Sequence, residues 1–262
     1  RSLISFEKSL YMSSESLRIQ FGKIENGAIF REYHVTNLLE GDFFSWYCSE
    51  KQWTDSLAEI VKNIFGILCR YSEKAVLNNT SKSQDFFKLL YETMVPAAVR
   101  HSLGEYYTRK WLAQNVVDEA IKLSSVEEWK GLDPCCGSGT FLNVMIDKVL
   151  YEEQEKSNEE KLEDVLQRVK GIDLNPIAVL TARVNYFINI SHLICDNRPI
   201  DIPVYLGDSS YVPKTIEYDN VQCIDYVIST TKEPIEVTLP KSIVNDISKF
   251  SQEMIVVESQ VK

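Results

Sequence analysis

The first hundred residues carry apolar positions at helical spacing. From Thr54 to Arg70 the apolar residues recur three and four positions apart, and Thr54 or Asp55 can cap the helix that this spacing predicts. The apolar stripe of this helix comprises Leu57, Ile60, Val61, Ile64, Ile67 and Leu68. The same spacing returns over Asp85 to Met94, and Pro96 lies where that helix should end or bend. The pattern therefore predicts a helical N-terminal domain over residues 1–103.

After Gly104, segments typical of strands alternate with segments typical of helices. The predicted strands are Trp129–Asp133, Val169–Asp173, Ile202–Leu206 and Cys223–Ile228, and Ile235–Leu239 alternates again. The predicted helices are Arg109–Leu123 (inner face Leu112, Val116, Ala120, Leu123), one after Gly139 (Leu142, Met145, Ile146, Val149) and Pro176–Ile190 (Ile177, Leu180, Val184, Phe187, Ile188). Strands joined through helices form right-handed crossovers, so residues 104–262 predict a mostly parallel sheet in an α/β domain. The glutamate-rich stretch Tyr151–Lys161 is predicted to be a solvated helix extension and loop.

Composition narrows the class of protein. The chain has 262 residues, of which 44% are apolar and 25% charged, as in globular proteins, and no apolar run is long enough to cross a membrane. Its net charge of -10 disfavours a self-sufficient nucleic-acid binder. The cysteines form no C-x-x-C pair, so we expect reduced thiols in a cytoplasmic protein. The three histidines lack ligand spacing, and no metal site is predicted.

The segment Gly131–Leu142 contains the candidate chemistry. A strand ends at Asp133, a turn with Gly137 and Gly139 follows, and a helix begins, which is typical of a nucleotide-cofactor site, although glycines also serve tight turns alone. No Gly-Lys-Ser/Thr closes a phosphate loop, and a dinucleotide fingerprint would put its third glycine at Leu142. An acidic Asp133 favours a cationic ligand, and S-adenosylmethionine carries a sulfonium and an ammonium group.

Four segments resemble motifs of one family. Asp133-Pro134-Cys135-Cys136-Gly137-Ser138-Gly139-Thr140-Phe141-Leu142 resembles the first motif of the adenine-N6 DNA methyltransferases of restriction-modification systems. Gly104-Glu105-Tyr106-Tyr107-Thr108 resembles the motif that precedes it, Gly171-Ile172-Asp173-Leu174-Asn175-Pro176 resembles the second motif, and Gly207-Asp208-Ser209 the third. The resemblance covers Asp85 to Ile228, and the most similar members are type I modification subunits and large single-chain enzymes of type IIG.

The resemblance implies a Rossmann-like methyltransferase domain that uses S-adenosylmethionine. The implied cofactor-binding residues are Tyr106, Tyr107, Thr108, Asp133, Pro134, Gly137, Gly139, Asp173, Leu174 and Asp208. In the family, the first two acidic residues bind the cofactor's ammonium and ribose hydroxyls, the third lies near its adenine, and the Tyr-Tyr-Thr segment closes over the methionine. In the alternative, the tyrosines pack under a helix that Thr108 caps, and Asp208 is an ordinary turn residue.

One family motif is missing. The fourth strand should end in Asn/Asp-Pro-Pro-aromatic, which holds the target amine and stacks on the flipped base. Here Ser229-Thr230-Thr231-Lys232-Glu233 follows Ile228, and the motif occurs nowhere in the chain, so the catalytic residues stay unassigned. We expect an N-terminal fragment holding the first half of the methyltransferase core, with an insertion that begins after about residue 229.

Alone, such a fragment is predicted to bind cofactor without catalysis. Its expected partners are double-stranded DNA, reached through the full-length protein, and specificity or restriction subunits or a fused nuclease, with no membrane. The alternative is a non-catalytic cofactor-binding or DNA-specificity scaffold that keeps the turn but not the chemistry.

Overall fold

A computed structural model of the chain describes residues 6–32, 34–39, 45–70, 93, 96–102, 108–194, 198–228, 233–246, 249–250, 252–254 and 256. The chain forms two compact units, Arg1–Asp208 and Ser209–Lys262. Within the described ranges, no helix is long and apolar enough to cross a membrane.

The N-terminal part of the first unit is helical. Its helices are α1 (Phe6–Leu10), α2 (Ser14–Glu25), α3 (Ala28–Arg31), a 3-10 turn (Ser45–Cys48), α4 (Asp55–Leu68) and α5 (Ala97–Ser102). The prediction for α4 is confirmed, because the Thr54 side chain accepts a hydrogen bond from the Leu57 N–H and caps the helix. The predicted helix over Asp85–Met94 lies outside the described residues, apart from Thr93.

The predicted buried face of α4 is wrong in part. Ile60, Ile64 and Ile67 are each about half exposed, and the fully buried residue of the helix is Ala58. The described helices that contact α4 are α1 and α2, and a small side chain such as Ala58 permits a close approach of neighbouring backbones. Apolar spacing predicted the helix correctly but not the side that its neighbours cover.

A parallel three-stranded sheet forms the centre of the first unit. Its strands β1 (Gly131–Asp133), β2 (Val169–Asp173) and β3 (Val204–Leu206) lie in the order β1-β2-β3. Between and around them are α6 (Lys110–Ser124), α7 (Thr140–Glu152), α8 (Asn158–Arg168), α9 (Pro176–Ile190) and a 3-10 turn (Ser191–Leu193). The predicted alternation of strands and helices is confirmed, and the bounds of β2 and α9 match the prediction.

Helices α7 and α9 build the core against the sheet. The inward face predicted for α7 is confirmed, since Leu142, Met145, Ile146 and Val149 are all buried. The predicted face of α6 is wrong by one position, because Ala113 and Val117 are buried whereas Leu123 is 82% exposed. On α9 the most deeply buried apolar residues are Tyr186 and Ile190 rather than the predicted stripe. On α6 and α9 the apolar side chains cover a wider arc than the buried face, so apolar spacing alone does not identify which residues of these helices face the core.

The prediction that the glutamate-rich stretch Tyr151–Lys161 is a solvated helix extension and loop is wrong in part. Helix α7 ends at Glu152, and Ser157 and Glu160 form a reciprocal capping box that starts the unpredicted α8. Glu152 and Glu153 bind the buried Arg168 guanidinium at 2.7 and 3.2 Å, and that guanidinium stacks on the Trp129 ring at 4.5 Å. These acidic residues neutralise a charge that would otherwise be costly to bury.

A segment of the N-terminal part, residues 34–37, pairs with the residues just before β3. The Ile200 N–H donates to the His34 carbonyl (2.7 Å), and the Thr36 N–H donates to the Ile200 carbonyl (2.9 Å). The Asn37 side chain accepts from the Ile202 N–H at 2.7 Å and donates to the Ile202 carbonyl at 2.8 Å. Residues 34–37 thus contact the segment that leads into β3, and a domain boundary near residue 103 stays a prediction.

The second unit contains an antiparallel sheet. Strands β4 (Lys214–Tyr218), β5 (Val221–Ile228) and β6 (Ile235–Pro240) lie in the order β4-β5-β6, followed by α10 (Lys241–Val244). The prediction that Cys223–Ile228 is the fourth parallel strand is therefore wrong. Asp219 and Asn220 have φ angles of 49° and 61°, and such a pair makes the two-residue turn that joins antiparallel strands.

Replacing Asn37 with alanine should lower the free energy of unfolding by about 1–3 kcal/mol, because the backbone N–H and carbonyl of the buried Ile202 would each lose a hydrogen bond to the Asn37 side chain. Urea unfolding measures this change. Thr36→Ala, at an exposed position on the same segment, is the matched control, because water can replace the hydrogen bonds that its hydroxyl donates to the Ile200 carbonyl and the Asp201 carboxylate, and it should cost less, about 0.5 kcal/mol. Equal losses in both variants would contradict the stabilising role of Asn37.

Gly171→Ala should destabilise the protein by about 1–3 kcal/mol, because its added Cβ would lie 2.8 Å from Leu142 Cδ1 and 3.2 Å from Cys136 Sγ in the core. Gly66→Ala is the opposite case, since no atom lies within 4 Å of its added Cβ on α4. It should raise the free energy of unfolding by about 0.5–1 kcal/mol through helix propensity. Urea titrations of both variants test the pair, and a neutral Gly171→Ala would show that the core adjusts freely.

Candidate functional site

The carboxyl ends of the parallel strands form the candidate site. Asp133 ends β1 and is in register with Gly171, while Asp173 ends β2 and is in register with Leu206 of β3. The turn from Pro134 to Gly139 follows β1 directly and leads into α7. In an open α/β sheet this edge is where ligands bind.

Backbone hydrogen bonds fix the turn. The Cys136 N–H donates to the Ile172 carbonyl at 3.0 Å, and the Gly139 N–H donates to the Cys136 carbonyl at 2.8 Å. Gly137 and Gly139 have φ angles of 52° and 87°, which side chains with a Cβ adopt rarely. The backbone of the turn therefore requires both glycines, so a tight turn alone is sufficient to explain them. The same two glycines leave the turn without side chains at two positions.

Asp173 links the turn to β2. One of its carboxylate oxygens accepts the Gly137 N–H at 2.7 Å, and the other accepts the Asn175 N–H at 2.8 Å. Asn175 in turn caps α9 by accepting the Ile177 N–H at 3.0 Å. An ionised carboxylate has about four acceptor positions, so both oxygens of Asp173 keep capacity for a ligand's hydroxyl groups.

Asp133 is electrostatically disfavoured in its charged form. Burial raises the pKa of its carboxyl, the hydrogen bond from the Cys135 N–H at 3.1 Å opposes that rise, and the negative charge of Asp173 adds to it. Two carboxylates at one strand edge create a local negative potential. A cationic group placed there would favour the ionised form of Asp133.

Cys136 is a packing residue of the turn. Its side chain is buried beside Gly171, and this burial raises the pKa of its thiol far above the ordinary value. The negative charges of Asp133 and Asp173 raise the pKa further, by smaller amounts. A thiol held protonated in this way is neither a nucleophile nor a metal ligand. Within the described ranges, no group of three or more His, Cys, Asp or Glu side chains is arranged to hold a metal ion.

The structure brings most of the predicted site residues to this edge. Pro134 follows β1, Leu174 follows β2 with 71% of its surface exposed, and Asp208 follows β3, where the neighbouring Gly207 N–H donates to the Asp173 carbonyl at 2.9 Å. Together with Asp133, Gly137, Gly139 and Asp173, these residues occupy the ends of three adjacent strands.

The upstream motif is described only at its last residue. Tyr106 and Tyr107 lie outside the described residues. Thr108 is partly buried and precedes α6, whose N-cap is Arg109 without a capping side chain. The alternative that Thr108 caps this helix is therefore wrong.

Sequence reasoning missed the amides below the turn. The Asn185 Nδ2 group donates to the Ser138 carbonyl at 2.9 Å from the buried side of α9. A signal was present in the sequence, because Asn185 and Asn189 interrupt an otherwise apolar helix. Buried amides need specific partners, so such interruptions mark polar contacts in the core.

Three comparisons relate the chain to known proteins. A model of the N-6 DNA methylase family matches residues 82–254, which is more than half of the chain. Among solved structures, the chain resembles one in the cryo-EM structure of a DrdV–DNA complex, with a TM-score of 0.46 and 18% identity over 75% of this chain. The chain covers 20% of the length of that protein. The search of curated proteins found no match.

The family match includes β1, the glycine turn, β2 and β3, together with the strand edge that they form. It also extends over the antiparallel sheet of the second unit. The chain belongs to the N-6 DNA methylase family.

Proposed function

We propose that this chain is the S-adenosylmethionine-binding part of a DNA adenine-N6 methyltransferase of a restriction-modification system. The observation that carries the proposal is the placement of Asp133 and Asp173 beside the glycine turn at one strand edge, in a chain of the N-6 DNA methylase family. The proposed class is a transferase that methylates DNA, either a type I modification subunit or a type IIG-like single-chain enzyme.

The residues present fit the proposed cofactor. S-adenosylmethionine carries two positive groups, a sulfonium and an ammonium, and one carboxylate. Because burial raises the pKa of Asp133, its carboxylate is poorly solvated, and a cation bound there would interact with it strongly. We assign Asp133 to the ammonium group and Asp173 to the ribose hydroxyls. Gly137 and Gly139 let the backbone approach the ligand.

The remaining assignments follow the positions of the residues at this edge. We assign Leu174 and Asp208 to the side that takes the adenine, and Pro134 to the wall next to Asp133. Tyr106, Tyr107 and Thr108 are proposed to cover the methionine.

In the proposed reaction the protein positions and desolvates. When bound, the cofactor supplies a methyl group that its positively charged sulfur activates. The chain's task is to hold that group in line with the target amine and to exclude water, because a less polar site favours the loss of charge on sulfur. None of the residues assigned here exchanges a proton with the amine, so the catalytic residues stay unassigned.

The amine-binding group is proposed to lie outside these 262 residues. The family's motif is expected after β5, where Ile228 instead pairs with Ile235 at the end of an antiparallel ladder. We therefore keep the prediction that an insertion begins near residue 229 and that this chain alone is inactive. DNA contacts are proposed for the full-length protein, because a chain with a net charge of -10 attracts DNA poorly. Specificity or restriction subunits, or a fused nuclease domain, are its further proposed partners. The division at residues 103 and 104 and a cytoplasmic location remain proposals.

Calorimetric titration of the chain with S-adenosylmethionine should give saturable binding, and titration with NAD should give none. Asp133→Ala and Asp173→Ala should each weaken the affinity at least about tenfold, because each loses a charge-assisted contact. Glu155→Ala, an exposed acidic position away from the strand edge, is the matched control and should bind like the unchanged chain. A folded chain that binds neither ligand would overturn the proposed cofactor site.

Asp133→Asn should stabilise the unliganded protein near neutral pH while weakening cofactor binding. Folding raises the pKa of Asp133, so its charge opposes folding above that raised pKa and ceases to do so once the carboxyl is protonated. The gain in melting temperature should therefore shrink as the pH falls from about 7 to about 4, towards the ordinary aspartate value. Thermal melts across this range measure it, and a pH-independent gain would rule out the charge as its cause.

A further inference from the structure

Polar side chains are buried together directly below the glycine turn. Among the described residues, Ser138, Asn143, Asn185 and Asn189 are each at most 6% exposed. Ser138 belongs to the turn, Asn143 to α7, and the other two to α9. Burial of amide and hydroxyl groups is costly unless hydrogen bonds replace the lost water.

The three asparagine side chains connect α7, α9 and the turn through hydrogen bonds to one another and to main-chain carbonyls. The Asn189 Nδ2 group donates to Asn143 Oδ1 at 3.0 Å and to the Asn185 carbonyl at 2.8 Å. Asn185 Nδ2 then donates to the Ser138 carbonyl at 2.9 Å. The network thus runs from α7 through α9 to the turn, and its last bond reaches the peptide that joins Ser138 to Gly139.

The network is not optimised for stability. Ser138 Oγ and Asn185 Oδ1 are fully buried, and neither has a hydrogen-bond partner among the described residues. An unpaired buried polar atom costs free energy that an apolar side chain of similar size would not. A buried amide with one unsatisfied oxygen is therefore better explained by what its nitrogen holds than by packing.

The bond from Asn185 restrains the half of the turn that β2 does not reach. The β2 contacts hold Cys136 and Gly137, through the Ile172 carbonyl and the Asp173 carboxylate. The Ser138–Gly139 peptide comes after these two residues, and the φ of Gly139, 87°, lies in a region where glycine has wide backbone freedom. Asn185 holds the carbonyl of that peptide, and the orientation of the peptide sets the shape of the turn against a ligand.

We propose that Asn185 is a positioning residue, which fixes the Ser138–Gly139 peptide in the orientation that binds the cofactor. This inference rests on the proposed function of the site and deepens it. Asn185 acts through the turn and has no contact with the cofactor of its own.

The test compares Asn185→Ala with Asn189→Ala in the full 262-residue chain. Both substitutions remove a buried amide from α9, but only the first removes the bond to the turn. We expect both to lower the melting temperature. S-adenosylmethionine affinity, measured by calorimetry at a temperature where circular dichroism shows each variant folded, should fall about tenfold or more in Asn185→Ala. It should stay within about twofold in Asn189→Ala.

Amide hydrogen exchange gives a second measurement that needs no ligand. The Gly139 N–H donates to the Cys136 carbonyl within the turn, so its exchange should speed up in Asn185→Ala and not in Asn189→Ala. If Asn185→Ala does not fold, Asn185→Ser, which keeps a polar group in a smaller side chain, takes its place, with the same expected loss of affinity and faster exchange.

Two results would overturn the inference. Unchanged affinity and exchange in the Asn185 variant, or equal losses in both variants, would mean that the network only stabilises the fold. If the unchanged chain does not bind S-adenosylmethionine, the proposed function fails and the inference with it. That failure is distinct, because it appears before any substitution is made.

Discussion

The hydrogen bond from the Gly137 N–H to the Asp173 carboxylate, 2.7 Å long, joins the two halves of the candidate site. It connects the turn after β1 to the end of β2, which lies more than thirty residues further along the chain. Parallel strands are not joined by a short hairpin, so their ends are aligned by packing and by contacts of this kind. The same carboxylate accepts the Asn175 N–H at the start of α9. One side chain therefore sets the relative positions of the turn, a strand end and a helix start.

That arrangement has an electrostatic cost. Asp133 lies near Asp173 in a partly buried edge, and burial together with the neighbouring charge raises its pKa. The repulsion between the two carboxylates opposes folding in the absence of a cation, and the Ser138 hydroxyl and the Asn185 amide oxygen below the turn are buried without partners. Features that disfavour the fold but converge on one edge are typical of functional sites, where binding free energy offsets the cost. The stability of this region and its capacity to bind a cation are thus opposed properties of the same residues.

The parts of the fold that were predicted correctly have strong local signals. Asn175 and Pro176 mark the start of α9, and the strand β2 is bounded by helices on both sides. The predicted face of α6 failed because the apolar side chains of that helix cover a broad arc, which includes both Leu112 and Ala113, and the neighbour that chooses between these two is distant in sequence. The strand β5 was assigned to the wrong sheet because the turn at Asp219 and Asn220 was overlooked. The contact of Asn37 with Ile202, 165 residues apart, has no local signal at all.

The strand-end residues proposed for the cofactor belong to one unit, whereas the position expected for the amine-binding motif belongs to the other. Asp133 and Asp173 end strands of the parallel sheet within Arg1–Asp208, and Asp208 follows the third strand. Strand β5 lies in Ser209–Lys262, in a sheet with its own hydrogen-bond ladder. The described hydrogen bonds that hold the turn come from β2, from α9 and from within the turn itself. The residues proposed to hold the cofactor therefore take their positions from contacts within the first unit, and the proposed binding can be tested without the motif that would hold the amine.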